Sequence, residues 1–322
     1  MKVCRFAVFV IAALLLATGG AALAQYPERP LRLIVPFAPG GGADLTSRLI
    51  SQRLPDLLGR QVVVDNRAGG ASNIGSEAVA RAAPAGYTLL LGSLSTSVNA
   101  SLFPKLSFNV LKDFEPVSLL ATVPLMVVVH PSFAAQSIAE LIAMAKAKPG
   151  ALNYASGGLG SANHVAGELF KSMAGVQITH VPYKGGGPAL ADLLGGHVGL
   201  LISTVTSTHD LVKSGRLRAL ATTGSKRSVV APELPTVAEA GLPGYAVEAW
   251  YGVLAPAGTP RAIVERLSGD LARILQSAEG REALRAQGAE AVGNTPEEFA
   301  RYLRMEVDKW AKMVKAQGLR GE

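Results

Sequence analysis

Five short stretches rich in glycine, serine, threonine and asparagine are the parts of this sequence best suited to chemistry. They are Pro39–Asp44 (PGGGAD), Asn66–Gly75 (NRAGGASNIG), Gly92–Asn99 (GSLSTSVN), Ser156–His164 (SGGLGSANH) and Tyr183–Pro188 (YKGGGP). Glycine lets backbone N–H groups approach an anion closely, and a helix that starts in such a loop adds positive potential. A single loop of this kind is better explained as a tight turn with capping residues. Five of them facing one crevice predict an amide-rich site for a small carboxylate.

The familiar catalytic motifs are absent from the sequence. No glycine is followed by lysine, and neither G-x-S-x-G nor S-x-x-K occurs. The histidines are His130, His164, His180, His197 and His209. Their spacing is not that of zinc ligands, so we predict no metal and no cofactor. One alternative stays open: a secreted α/β hydrolase in which Ser161 meets His164 in the cleft.

Short apolar segments alternate with helical stretches, which places the five loops at the ends of strands. The predicted strands are Leu31–Pro36, Val62–Val64, Tyr87–Leu91, Leu125–Val129, Ile178–Pro182, Val198–Ile202, Leu217–Ala221 and Trp250–Ala255. This alternation predicts βαβ units, a parallel sheet and an α/β fold. In such sheets, ligands bind outside the carboxyl ends of the strands. From Pro260 to Leu319 the pattern predicts helices only.

Several local signals predict where helices begin and end. Asp44 is predicted to cap the helix after the first glycine loop, and Pro55 to interrupt or restart that helix. Ile138–Ala147 is predicted as a helix, and Thr295 as the cap of the last one. The apolar strand that contains Trp250 and Tyr251 is interpreted as core.

The first 24 residues have the layout of a secretory signal peptide. Lys2 and Arg5 precede the apolar run Phe6–Ala17, and Ala22-Leu23-Ala24 gives a small-residue cleavage pattern. The uncharged stretch Phe6–Ala24 is also just long enough to be an uncleaved membrane anchor. The cleavage pattern favours export, so we predict a periplasmic protein that begins at residue 25.

Composition excludes several classes of protein. The chain has 322 residues, of which 49% are hydrophobic and 17% charged, so it can bury a core and is not disordered. A single cysteine, Cys4, excludes a disulfide framework and a cysteine-ligated metal cluster. The net charge of +7 is mild for this length, so no nucleic-acid partner is predicted. The length is typical of about two domains.

A series of short motifs resembles the Bug-type receptors, which are the TctC-like periplasmic solute-binding proteins of tripartite tricarboxylate transporters. The motifs are Pro36–Asp44 (PFAPGGGAD), Val62–Arg67 (VVVDNR), Asn73–Gly75 (NIG), Gly86–Leu91 (GYTLLL), Asn153–Ser156 (NYAS), His180–Gly185 (HVPYKG), Gly215–Leu220 (GRLRAL) and Ala255–Pro260 (APAGTP). Each motif is weak alone. Together they are specific, because they occur in the family's order along almost the whole mature chain.

The resemblance implies a two-lobe periplasmic-binding-protein fold, a type II-like Venus flytrap with two interdomain crossovers and no catalysis. Lobe 1 would comprise residues 25–123 plus 248–322, and lobe 2 residues 124–247. A small carboxylate would bind between them, and the membrane subunits of a tripartite tricarboxylate-type transporter would recognise the closed form. We expect a monomer. A sensory protein that presents its ligand to a signalling partner would have the same fold, and it stays an alternative.

The resemblance also implies which residues contact the ligand. In lobe 1 they are Phe37, Gly41, Gly42, Asp44, Gly70, Asn73, Ser93, Ser95 and Thr96. In lobe 2 they are Ser156, Gly160, Ser161, His164, Tyr183, Lys184 and Gly185. Family members often carry an aspartate near the end of the strand after Gly196-His197-Val198, associated with holding a ligand's amino group, but this chain has Gly199 and Ser203 there. We therefore expect a ligand without an ammonium group, such as a mono- or dicarboxylate or an aromatic acid.

Overall fold

The computed structural model describes residues 26–321, so the predicted signal peptide lies outside the described residues. The strands of this part are β1 Leu31–Val35, β2 Val62–Asn66, β3 Thr88–Ser93, β4 Phe114–Val129, β5 Asn153–Ser156, β6 Thr179–Pro182, β7 Leu200–Thr204, β8 Arg218–Thr222, β9 Glu248–Pro256 and β10 Glu290–Ala291. The helices are α1 Gly42–Leu58, α2 Asn73–Ala80, α3 Leu94–Leu102, α4 Ile138–Ala147, α5 Ala162–Ala174, α6 Gly186–Leu194, α7 Val205–Lys213, α8 Arg261–Gln276, α9 Ala278–Ala286 and α10 Pro296–Ala316. No helix within residues 26–321 is both long and apolar enough to cross a membrane.

The sheet is mixed. Its strands run in the order β2-β1-β3-β9-β4-β7-β5-β6, with β8 and β10 also paired to β4. β1 is parallel to β2 and β3, and β5 is parallel to β6 and β7, as the βαβ pattern predicts. The prediction of a wholly parallel sheet is wrong for β4 and β9, which pair antiparallel with each other and with β7 and β3 respectively.

β4 joins two parts of this sheet. Its first part pairs with β9 as far as Pro124 opposite Glu248, and from Leu125 onward it pairs with β7. We call β2-β1-β3-β9 with the first part of β4 the first half-sheet, and the rest of β4 with β7, β5, β6 and β8 the second half-sheet. The sequence predicted only Leu125–Val129 of this strand, because Pro116 and Pro124 interrupt the pattern that precedes it.

Two predictions about α1 are wrong. The helix is capped by Gly41, and Asp44 lies inside its first turn. Pro55 lies within a helix that continues to Leu58. One lost backbone hydrogen bond near the end of a helix is tolerated here because Leu54 and Leu58 stay buried on the same face.

Two other helical predictions are confirmed. α4 has the predicted bounds, and Glu298 N–H donates to Thr295 Oγ1 at the start of α10. The C-terminal region is not wholly helical, since β10 adds two residues to the sheet beside β4. Trp250 of β9 is fully buried and packs edge-on against Phe299 of α10, which holds this helix against the first half-sheet.

Candidate ligand-binding site

A cavity, here called the central cavity, lies where five helices begin. These are α1, α3, α5, α6 and α7, each of which starts directly or within a few residues after a strand ends. Of the predicted contact residues, six line it: Phe37, Gly41, Gly42, Ser93, Ser95 and Ser161. The first two helices belong to the first half-sheet and the other three to the second. The cavity is therefore built by both halves of the fold.

The central cavity is surrounded by the positive ends of helix dipoles, and no charged side chain lines it. None of its lining side chains is a carboxylate, amine, guanidinium or imidazole. The N-terminus of a helix carries about half an elementary positive charge on its free N–H groups. Five such ends favour an anion, and there is no carboxylate among the lining residues to receive an ammonium group.

Several lining residues of the central cavity were not among the individually predicted contacts, although some lie in the predicted loops. They are Gly157, Asn163, Gly186, Ser203, Thr204 and Tyr251. Asn163 is the second residue of α5, and its Nδ2 donates to Ile202 O at 2.6 Å. Tyr251 was assigned to the core, and it is 5% exposed, but its hydroxyl reaches the cavity beside Thr204. The start of α7 also lines the cavity. The sequence signal that could have predicted this is the pair Ser203 and Thr204 at the end of β7.

Asp44 supports the first glycine loop from behind. It is buried and accepts hydrogen bonds from Gly40 N–H, Arg48 Nε and Asn66 Nδ2, each at 3.0 Å. Burial acts to raise the pKa of its carboxyl, but the hydrogen bonds outweigh burial and lower that pKa. Asp44 stays ionised and ties the loop to β2. It does not line the central cavity.

The first and last glycine loops touch each other. Ala38 N–H donates to Lys184 O at 2.9 Å, and Gly41 lies against Gly186. A β-carbon added at Gly187 would collide with the carbonyl oxygen of Pro39, and one added at Gly185 would lie 2.8 Å from Ala38 N. We call this contact, Ala38–Gly41 against Lys184–Gly187, the glycine seam. These glycines allow two backbones to meet, and of them only Gly41 and Gly186 line the central cavity.

A second space, the outer compartment, adjoins the central cavity at Phe37 and Gly157. Gly69–Ser72 form one wall, and Leu159, Tyr183 and Lys184 lie opposite. The Tyr183 hydroxyl donates to Asp192 Oδ2 at 2.5 Å, so it is mainly the ring of Tyr183 that lines the outer compartment. Of the predicted contact residues, Gly70, Tyr183 and Lys184 belong here.

The loop Gly69–Ser72 has an unusual backbone. All four residues have positive φ, and Ala71 (φ 54°) and Ser72 (φ 74°) are the non-glycine residues with this property in the described chain. A residue with a β-carbon pays about 1–2 kcal/mol in the left-handed region. Asn73, a predicted contact, directs its side chain to Asn99, whose Nδ2 donates to Asn73 Oδ1 at 2.8 Å. Thr96 is also turned inward, and its Oγ1 accepts from Ser93 N–H.

A buried polar network lies behind the loop Ser156–Ser161, here called the second-half wall. His180 Nε2 and Ser156 Oγ are 2.6 Å apart, and the rings of His164 and His180 lie with their centroids 4.5 Å apart. Gly160 N–H donates to His164 Nδ1 at 3.2 Å. Burial lowers the pKa of His164 to about 4, and burial with the charge of His164 lowers that of His180 to about 4. Both rings are neutral at pH 7 and hold loop 156–161 in place.

The hydrolase alternative receives no support from this geometry. Ser161 Oγ accepts a hydrogen bond from the backbone N–H of His164 at 3.3 Å, as an N-capping residue does. The ring of His164 is engaged by Gly160 instead. Among the described residues no group of three or more His, Cys, Asp or Glu side chains could hold a metal ion.

An α/β fold with a cavity between two parts of its sheet is typical of a protein that binds a small molecule. The family model described as "Tripartite tricarboxylate transporter family receptor" (TctC) matches residues 46–319. The chain is 43% identical over 295 residues to protein BugT of Bordetella pertussis, covering 91% of this chain and 90% of that protein. The chain therefore belongs to the TctC family of solute-binding receptors.

Solved structures agree with this assignment. A protein of R. palustris solved with adipate is 40% identical, with a TM-score of 0.89, and the match covers 92% of this chain and 99% of that one. MatC of Rhodopseudomonas palustris, solved with bound malate, is 33% identical with a TM-score of 0.86, covering 90% and 100%. The predicted family and the two-lobe fold class are confirmed. The relatives are periplasmic binding proteins and not enzymes.

Proposed function

We propose that this receptor captures a small organic carboxylate without an ammonium group in the central cavity. The observation that carries the proposal is the set of five helix N-termini around a cavity lined by no ionised side chain. Helix ends favour the carboxylate, and the missing acidic partner disfavours amino acids. The relatives solved with adipate and with malate support this class of ligand.

We also propose that capture occurs by closure of two lobes, residues 25–123 plus 248–322 and residues 124–247. The change of partner along β4, from β9 at Pro124 to β7 at Leu125, supports this boundary. A ligand held by helices from both lobes stabilises the closed form through contacts that the open form lacks. The relatives, which are periplasmic binding proteins, support a periplasmic location. The family description supports a partnership with membrane subunits of a tripartite tricarboxylate-type transporter. Loss of ligand uptake in a strain lacking this gene would test that partnership.

A thermal-shift screen of organic acids tests the ligand class. Plain mono- and dicarboxylates or aromatic acids should raise the melting temperature, and titration calorimetry should then give the affinity of the best one. Stabilisation by aspartate or glutamate, with none by any plain acid, would contradict the proposal.

Gly42→Val tests the position of the site. A side chain at Gly42 would meet the Thr204 hydroxyl and Tyr251 Oη inside the cavity. We expect affinity to fall by at least about fiftyfold, since the first turn of α1 could no longer approach the ligand. Gly269→Val is the matched control, because Gly269 in α8 faces open space. Equal affinity in the two variants would exclude this loop as the anion site.

A further inference from the structure

Asn99 holds the strained wall of the outer compartment. It lies on α3, one turn after Ser95, which lines the central cavity, and its side chain is 1% exposed. Its Nδ2 donates to Ala71 O at 2.7 Å and to Asn73 Oδ1 at 2.8 Å, and it lies 3.3 Å from Ser72 Oγ. One side-chain amide thus contacts three consecutive residues of loop 69–73.

The loop needs such a restraint. Ala71 and Ser72 both have left-handed backbone conformations, which a residue with a β-carbon leaves readily when nothing holds it. The loop forms a wall of the outer compartment opposite Lys184. If it relaxed to an ordinary conformation, the wall and the backbone groups that point from it would move.

The other atom of the same amide faces the second half of the fold. Asn99 Oδ1 is buried and has no hydrogen-bond partner among the described residues. It lies so close to Gly160 that a β-carbon there would collide with it. Gly160 in turn donates to His164 Nδ1. Asn99 therefore stands at the junction of the loop, α3 and the second-half wall.

We propose that Asn99 is a positioning residue for ligand binding, which fixes Ala71 and Ser72 in the left-handed conformation that shapes the wall of the outer compartment beside the central cavity. The proposal rests on the proposed function for its affinity measurement, but its effect on the loop can be measured without any ligand. Asn99 acts through the loop and needs no contact with the ligand.

The test compares Asn99→Ala with the double substitution Ala71→Gly and Ser72→Gly, and with all three together. Adipate and malate serve as probes in calorimetry, and hydrogen exchange of the amides at 71–74 is followed in the ligand-free protein. Asn99→Ala should weaken binding by at least about tenfold and speed loop exchange by a similar factor. Glycine adopts positive φ without strain, so the triple variant should recover most of the lost affinity.

Two further variants keep the result interpretable. Ser97→Ala on the same helix removes a buried hydroxyl that has no hydrogen-bond partner among the described residues, and it should leave binding within about twofold of the unaltered protein. If Asn99→Ala does not fold, Asn99→Asp keeps the shape but removes both donors, and it should weaken binding in the same way.

Some outcomes would overturn the proposal. They are a lower melting temperature for Asn99→Ala with unchanged affinity and loop exchange, or an absence of rescue by the two glycines. If the unaltered protein binds neither probe nor any other plain acid, the proposed function fails, and the exchange measurement alone still decides the role of Asn99.

Discussion

The glycine seam and the central cavity use similar loops for different purposes. At the seam, Gly185 and Gly187 meet the backbone of Ala38 and Pro39 so closely that a side chain would not fit. Around the cavity, Ser95, Ser161 and Ser203 place small polar groups and helix ends at an open space. The difference teaches that a glycine-rich loop in this fold can line the cavity or allow the two half-sheets' loops to touch, and Gly41 and Gly186 do both.

The largest expected effect separates these two roles. Gly187→Ala should weaken carboxylate binding by at least about a hundredfold, because its β-carbon would collide with Pro39 O and prevent closure. Gly269→Ala is the control, since Gly269 lies in α8, away from the seam and the cavity, and a β-carbon there would meet open space. Both should keep or slightly raise the melting temperature without ligand, because alanine stabilises a helix relative to glycine.

Calorimetry and melting curves on the two variants decide the matter. An affinity of Gly187→Ala equal to that of Gly269→Ala would show that the seam is not needed for binding.

A second prediction changes the charge of the cavity wall. Ser203→Asp introduces a carboxylate at a buried position, so plain dicarboxylates should bind about tenfold more weakly or worse. Aspartate should gain affinity relative to malate, because its ammonium group would find a partner. Ser203→Asn has a similar size and no charge, and calorimetry should give it a much smaller change. If Ser203→Asp binds plain dicarboxylates as tightly as the unaltered protein does, Ser203 is not part of the ligand site.

The third prediction concerns pH and the second-half wall. His164 titrates near 6.5 when unfolded, and burial lowers its pKa to about 4 in the folded protein. The unfolded chain therefore binds the proton first, and stability is lost as pH falls from about 6.5 to about 4. The loss is on the order of 1–3 kcal/mol. Glu168 opposes the shift and Lys171 adds to it.

Denaturant melts across this range test the pH prediction. His164→Gln should reduce the pH dependence and leave the part that comes from His180, whose pKa is also lowered to about 4, whereas His197→Gln, at an exposed position, should leave it unchanged. The same slope in both variants would exclude His164 as its source.

The smallest expected effect is at the outer compartment. Lys184 is exposed, so Lys184→Gln should weaken a dicarboxylate by about two- to fivefold, and less in high salt. Lys105→Gln removes the same charge from an exposed position outside both compartments. Equal losses in the two variants, measured by calorimetry, would point to net charge and not to the site.

Much of the fold and part of the site could be predicted from the sequence. The apolar runs and capping residues predicted α4 with its observed bounds. All five glycine-rich loops contribute residues to the central cavity or the outer compartment, as the sequence predicted. These features depend on neighbours in sequence, where local preferences decide the structure.

The features that were missed depend on distant residues. Nothing local distinguishes Gly187, which meets Pro39, from Gly42, which lines the cavity. Tyr251 lies in an apolar strand that packs on α10, so its hydroxyl at the cavity could not be inferred from alternation alone. Asp44 was expected at the ligand, but its partners, Arg48 and Asn66, draw it behind the loop.

A crystal structure of the protein with the acid selected by the thermal-shift screen tests the central claim most directly. We predict that a carboxylate lies in the central cavity within hydrogen-bond distance of backbone N–H groups at the start of α1. The two loops of the glycine seam should be in contact in that structure. A ligand bound outside this cavity, or inside it with its carboxylate turned away from the helix ends, would contradict the account.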